Sequence, residues 1–533
     1  MKTLILLTLL FLGGDLMPRI LYLTGATSEE ELSEEVVERF EHLADHPVDI
    51  NTASRRRLLS TGLFSAFQAA SLLEYREETG PVRSMLELSL IDGFSADLAH
   101  ALEPFVLLVS DSPPGAQKPR NFSQTLRARG GVRLEEGELP SWSGKAVWQG
   151  QWKDRATLTL SSAPTFAASF RAGPLSLFAG DYNTRFGQGL LLWSGFALSG
   201  VPSGSAISRN PAGITTSASF SPAMRRRGAA FELELKGLTL SGFWSVPGLF
   251  GGNAAFYGRR LSASLTALAN AGVPMVSADF KYSPGGVALF GEAAWDFGSG
   301  VGAALLGADW VPAYGARVGI AARYYPDGYH CETASPLRSG TKARDEAGVS
   351  LAGSWSWAEL TMDAARHPSA GTTHLRTILK LSPRFGQEGR CLDLSFRGSV
   401  RWRPEESWPW RIDLRTDLAG TLGPWRAGLR ANVLHSRGWG FLVYAEAGWK
   451  TDRAGAWLRL TAFDVQYWED RIYAYQRDAP GEFSVPACYG RGLSASLYAY
   501  WKPFYLTVAP VLYEGGVKAS RLDVKLSVVW RGR

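Results

Sequence analysis

The chain has few of the residues from which catalytic and metal-bound sites are usually built. Three cysteines in 533 residues (Cys331, Cys391 and Cys488) give no even-numbered disulfide framework, and no Cys-x-x-Cys pair occurs. The seven histidines are scattered. None has a nucleophile or acid pair beside it of the kind that hydrolytic catalysis requires. Asp363 and His367 come nearest to such an arrangement, but four residues apart on a strand they share a face without touching. No metal-ligand spacing is present. The expectation is a non-enzyme, with no catalytic, cofactor-binding or metal-binding residue assigned. Beyond the N-terminus no apolar run reaches about 18 residues, which excludes a spanning helix.

What the chain does have is glycine, at 58 residues, and aromatics, with 19 Trp and 18 Tyr. It also has a period of two. In Thr125–Leu134, Arg127, Arg129 and Arg133 fall on one parity, and Leu126, Ala128, Val132 and Leu134 on the other. Asp413, Arg415 and Asp417 alternate with Ile412, Leu414 and Leu418. Arg521, Asp523 and Lys525 oppose Leu522, Val524 and Leu526. A period of two is the strand period, so each strand has a charged face and an apolar face. Charge at mid-strand is costly in a dry core but ordinary in a wet barrel lumen, where the apolar face turns outward to lipid. A soluble solenoid or sandwich would have to bury these charges. The alternation therefore predicts a mainly β fold, a large antiparallel transmembrane barrel over residues 121–533. At roughly 10 residues per strand plus turns it should have about 22–24 strands. Arg127, Arg129, Arg133, Asp413, Arg415 and Asp417 are expected to face the lumen. Leu126, Leu134, Leu414, Leu522 and Leu526 are expected to face lipid.

The first 120 residues differ. Residues 1–26 read as a secretory signal, with Lys2, an apolar core over Leu4–Leu12, and the small residues Gly25 and Ala26 at its end. Residues 27–106 are helix-like, with acidic starts and apolar spacing at Leu32, Val36, Val37 and Phe40. Residues 107–120, rich in Ser, Pro and Gly, read as a linker. Gly180–Gly195 is glycine-rich but lacks the lysine and helix of a nucleotide loop. It reads as a bent strand in which Gly187 and Gly189 permit close backbone approach.

From Ile50 the helical segment becomes specific. Ile50-Asn51-Thr52-Ala53-Ser54, followed by Ala69, Tyr75, Arg76, Gly80, Leu88 and Gly93, resembles the tandem helix-hairpin-helix domain of periplasmic competence proteins that bind DNA. The resemblance covers about 57 residues and implies an all-α fold. It makes Arg55, Arg56, Arg57, Gly62, Phe64, Gly93 and Ser95 candidate contacts to DNA or to a protein partner. The hairpins depart from the family where its glycines would open the backbone to phosphate. Leu63 and Ser65 flank Phe64 in the first, and Ser95 follows Gly93 in the second. The chain as a whole is similar to Gram-negative outer-membrane proteins that carry such a domain ahead of a large barrel.

Charge separates the two parts. The chain is +6 overall. Residues 27–106 hold 16 acidic side chains against 6 arginines, a net −10, and the leader is +1, so the remainder is near +15. DNA binding rests on cations that release counterions, and the helical segment is poor in them. The expectation is an outer-membrane pore or transport component with its helical domain on the periplasmic side, as plug or docking module. Two alternatives are a DNA-uptake receptor and an assembly or secretion scaffold. The expected partners are outer-membrane lipid and a periplasmic protein, with DNA the less favoured.

Overall fold

Alternation is carried through to burial in the strand Ala454–Val465. Leu458 and Leu460 are exposed at 48% and 58%, while the alternating Arg459 and Thr461 are buried. A soluble protein would show the reverse. In the computed structural model, which describes residues 16–108, 122–153, 155–162, 165–194, 207–216, 225–313, 316–387, 389–515 and 519–532, this inverted pattern runs around a closed antiparallel barrel. Its wall has 24 strands. The ring closes where the first strand, Ser123–Glu135, pairs in antiparallel register with the last, Arg521–Gly532. Closure leaves no edge with unpaired backbone groups, the condition for a sheet in hydrocarbon.

The outer surface fits a bilayer. Leu126, Leu134, Leu414 and Leu526 are all exposed, as expected for lipid-facing positions, whereas Leu522 is half-buried. Exposed tryptophans gather at both ends of the strands. Trp152, Trp310, Trp425 and Trp501 lie at the end with tight turns, and Trp142, Trp244, Trp295 and Trp439 at the other. Two aromatic girdles about an apolar belt are the signature of an outer-membrane barrel. No described helix is long and apolar enough to cross a membrane. The longer inserts, 186–225, 326–345 and 466–489, all leave from the second end. Both the start of the first strand and the end of the last lie at the tight-turn end.

The helical domain has its own core. Phe40, Ile50, Leu58, Phe64, Leu72, Leu88, Leu102 and Phe105 are each at most 1% exposed. Its helices are α1 (Leu16–Thr24), α2 (Glu34–Asp45), α3 (Arg55–Ser60), α4 (Ala66–Glu78), α5 (Met85–Ser89) and α6 (Ala96–Leu102). Serine starts five of them. Ser33, Ser54, Ser65, Ser84 and Ser95 each accept a hydrogen bond from the first-turn N–H that would otherwise lack a partner. Ser65 and Gln68 complete a reciprocal capping box. Asn51 bonds Val82 with both ends of its amide, at 2.9 and 2.8 Å, and a two-residue parallel pairing joins Val48 and Asp49 to Val106 and Leu107. Part of the expected leader folds with the domain, since Ile20 lies in its core and Arg19 pairs with Glu103 at 2.9 Å. The rest of the leader, residues 1–15, and all but the first two residues of the expected linker lie outside the described residues.

Candidate functional site

The helical domain meets inward-facing residues from many parts of the ring, so it lies within the lumen. Its acidic start supplies the densest contact. Glu29, Glu30 and Glu31 form a short turn before α2. Arg415 reaches Glu29 and Glu30 at 2.9 and 2.7 Å, and Arg430 reaches Glu30 at 2.7 Å. Arg397 and Arg376 both reach Glu31, at 3.1 and 3.3 Å. Asp417 bridges Arg415 and Arg430 from the wall itself. Burial alone would push these glutamates toward the neutral form. The facing guanidiniums outweigh it, Arg415 first for Glu29 and Glu30 and Arg397 first for Glu31, and hold all three below the ordinary carboxyl range.

Other contacts follow around the circle. Arg127 lies 2.7 Å from Glu38, Arg185 3.2 Å from Glu35, Arg531 2.7 Å from Asp45 and Arg259 2.8 Å from Glu74. In each the wall supplies the cation and the domain the carboxylate. The polarity reverses at α3, where Arg56 pairs with wall residue Glu232. The long insert 466–489 folds inward as well. Its Tyr475 and Gly481 backbone N–H groups donate to Glu30 and Glu41 at 3.1 and 2.6 Å.

A second inward element is built on Gly180–Gly195. The strand Leu175–Arg185 leaves the wall, and the chain turns back through Phe186–Ser194, which is almost wholly buried. Glu292 holds the turn by accepting from the N–H groups of Gln188 and Leu190 at 2.7 and 2.9 Å. Gly187 adopts a φ of +57°, and a β-carbon there would lie 2.7 Å from the Glu292 carboxyl. From the insert 326–345, Tyr329 caps the segment by donating to the Leu190 carbonyl at 2.7 Å. The close backbone approach expected at Gly187 is therefore an approach to a buried carboxylate.

The residues singled out from the sequence fall in three places. Arg127 and Arg415 bind the helical domain, as above. Arg129 pairs with Glu482 of the inward insert, and Asp413 accepts from Asn432 at 2.6 Å and faces Arg397 at 3.4 Å. Arg133 pairs with Asp523 on the neighbouring strand at 2.6 Å, with its side chain half exposed. Of the candidate DNA contacts, Arg55 donates to the Tyr257 carbonyl and Arg56 binds Glu232, so both face the barrel wall. Arg57 lies beside them in the first turn of α3, its backbone N–H capped by Ser54. Phe64 is fully buried against Phe94. Gly62 and Gly93 take φ values of +70° and +88°, and Ser95 caps α6. The first hairpin thus points into the protein, and only the second is open to solvent. Arg376, Arg397, Arg430 and Glu232 were not singled out as site residues. Parity places Arg430 on the charged face of its strand, but nothing local marks Glu232 as a wall acid that meets a domain cation.

Among the described residues no group of three or more His, Cys, Asp or Glu could hold a metal ion, and the three cysteines are free. Residues 44–107 match the model of the helix-hairpin-helix motif. No curated protein matches the chain. Among solved structures, the chain is similar to Pseudomonas aeruginosa OpdO, with 10% identity, 77% of this chain and 96% of that one covered, and a TM-score of 0.32. It is similar to the P pilus usher (PapC) translocation pore, with 10% identity, coverage of 76% and 99%, and a TM-score of 0.38. It is also similar to Acinetobacter baumannii OccAB4, with 8% identity, coverage of 78% and 99%, and a TM-score of 0.30. The strand ladder itself, rather than these likenesses, establishes the fold: a closed 24-stranded barrel of outer-membrane type that encloses a domain carrying the helix-hairpin-helix motif.

Proposed function

We propose that the protein is a pore or transport component of the outer membrane whose helical domain plugs the lumen from the periplasmic side. The observation that carries this reading is the lock between Glu29–Glu31 and the four wall arginines Arg376, Arg397, Arg415 and Arg430. An acidic domain in a basic lumen is complementary at long range as well as in contact. The orientation is supported by the turns, since outer-membrane barrels keep short turns on the periplasmic face and long loops outside. Conductance in planar bilayers tests the plug. Deleting residues 27–106 should open large, steady channels, and raised salt should do so in part by screening the lock. Equal conductance with and without the domain would sink the proposal.

A docking role is favoured by the second hairpin, where Leu86 and Leu90 are 72% and 80% exposed. It is compatible with a plug, because a periplasmic protein bound there could draw the domain out. Photocrosslinking from position 90 in cells should capture such a protein, and an absence of adducts would remove the docking role. The DNA-uptake reading finds no comparable support. Arg55 and Arg56 are engaged by the wall, and the exposed hairpin lies on an acidic domain.

A further inference from the structure

Between the helical domain and the wall lies a cavity of about 220 Å³. Its floor is formed by Arg39 and His42 on α2, Arg56 and Arg57 on α3, and Ser60 and Thr61 at the first hairpin. Wall strands add Arg171 and Arg185, and the turn between Ser141–Trp152 and Ala156–Ser161 adds Lys153 and Arg155, both exposed at the mouth. Seven basic side chains therefore line a space that, among the described residues, two carboxylates enter, Glu35 and Glu38. Those two are already engaged, Glu35 with Arg185 at 3.2 Å and Glu38 with Arg127 at 2.7 Å. Arg56 and Arg171 have carboxylate partners outside the cavity, Glu232 and Glu234.

Arg39 is left over. Among the described residues no carboxylate lies within 4 Å of it, and its Nε is buried without a hydrogen-bond partner. The Nε of Arg56 and the Nε2 of His42 are in the same condition. The Glu35 carboxylate acts on Arg39 only from beyond contact distance; a guanidinium taken out of water with no carboxylate in contact is costly, and the cost is reduced when an anion accepts its protons. The Arg39 head lies against Gly62, where a β-carbon would come within 3.2 Å of Nη1. Burial, and then the like charge of Arg185, weaken the hold of Arg39 on its proton, to about 9.

We infer that this cavity binds a small polyvalent oxyanion, of the phosphate or the di- and tricarboxylate kind, between Arg39, Arg56 and Arg185, with Lys153 and Arg155 at its entrance. The volume falls below that of pockets for drug-sized ligands, which suits a solute of a few heavy atoms carrying more than one negative charge. Such an anion would touch both α2 and the wall. The site needs the domain docked but does not need the pore to conduct, so it stands or falls apart from the transport reading.

The test is calorimetric titration of the full chain in detergent with inorganic phosphate and, separately, citrate, at constant ionic strength set by sodium chloride. Saturable binding of either oxyanion is expected, and the tighter of the two names the source. Arg39→Gln should weaken it about tenfold, the loss of one charge-assisted contact. Because Arg39 is buried, Lys153→Gln with Arg155→Gln serves as a variant that leaves the packing alone, and it should weaken binding about threefold. Arg491→Gln, outside the cavity and paired with Glu514 at the opposite end of the wall, should leave the affinity unchanged. Absence of saturable binding, or affinities equal in all four proteins, would overturn the site.

Discussion

Arg415 shows how much a single side chain decides here. It meets Glu29, Glu30 and Asp417 while only 10% exposed. Arg415→Gln would leave buried carboxylates short of a cation, at a cost of about 2–4 kcal/mol to docking. Trypsin should then cut at Arg55–Arg57 much faster in the full-length variant than in wild type, and unchanged protection would show that the lock contributes little. The same contact sets a dependence on acid. Glu29, Glu30 and Glu31 titrate below the ordinary 4.5 when docked, so their contribution is whole above that value and is lost as pH falls beneath it. Domain release should therefore rise steeply in acid. Glu41 has the opposite sign. Burial pushes it up to about 7 despite the Gly481 N–H it accepts, so its contribution is full below 4.5 and lost as pH rises through 7. Glu41→Gln should stabilise the protein at pH 8 and not at pH 5, as read from the thermal midpoint. The parity of Arg127 and Arg415 was legible in sequence, and so was the sign of the charge they would meet. The particular partners were not, because a period of two gives a face and never a depth along the lumen.

At the scale of elements, the helices were legible where serine capping and apolar spacing coincide, as at Ser65 and Gln68. The wall was legible wherever a leucine parity ran unbroken. From sequence alone the segment after Arg185 reads as a bent strand. In the structure the strand stops there and the chain folds inward, because Glu292, some hundred residues away, offers its carboxylate to two backbone N–H groups. No local pattern encodes a partner at that distance. Gly187→Ala puts a β-carbon against that carboxylate in a left-handed backbone, at a cost of about 1–3 kcal/mol. The variant should keep its barrel and lose protection in this segment under hydrogen exchange. Protection at the wild-type level would mean that Glu292 moves aside at little cost.

At the scale of the whole molecule, an acidic domain and a basic wall that are separate in sequence meet in one interior. The thirteen residues 109–121 join the helical domain to the wall, and a chain of that length reaches at most about 45 Å. A domain released from the lumen therefore cannot diffuse away. Its effective concentration at the mouth stays on the order of millimolar, so re-entry is an intramolecular event that does not depend on the amount of protein. Whatever draws the domain out has to act continuously, and withdrawing it should reset the closed state. An isolated helical domain added in trans to the truncated barrel would have no such advantage. It should block the channels only when supplied near that same concentration.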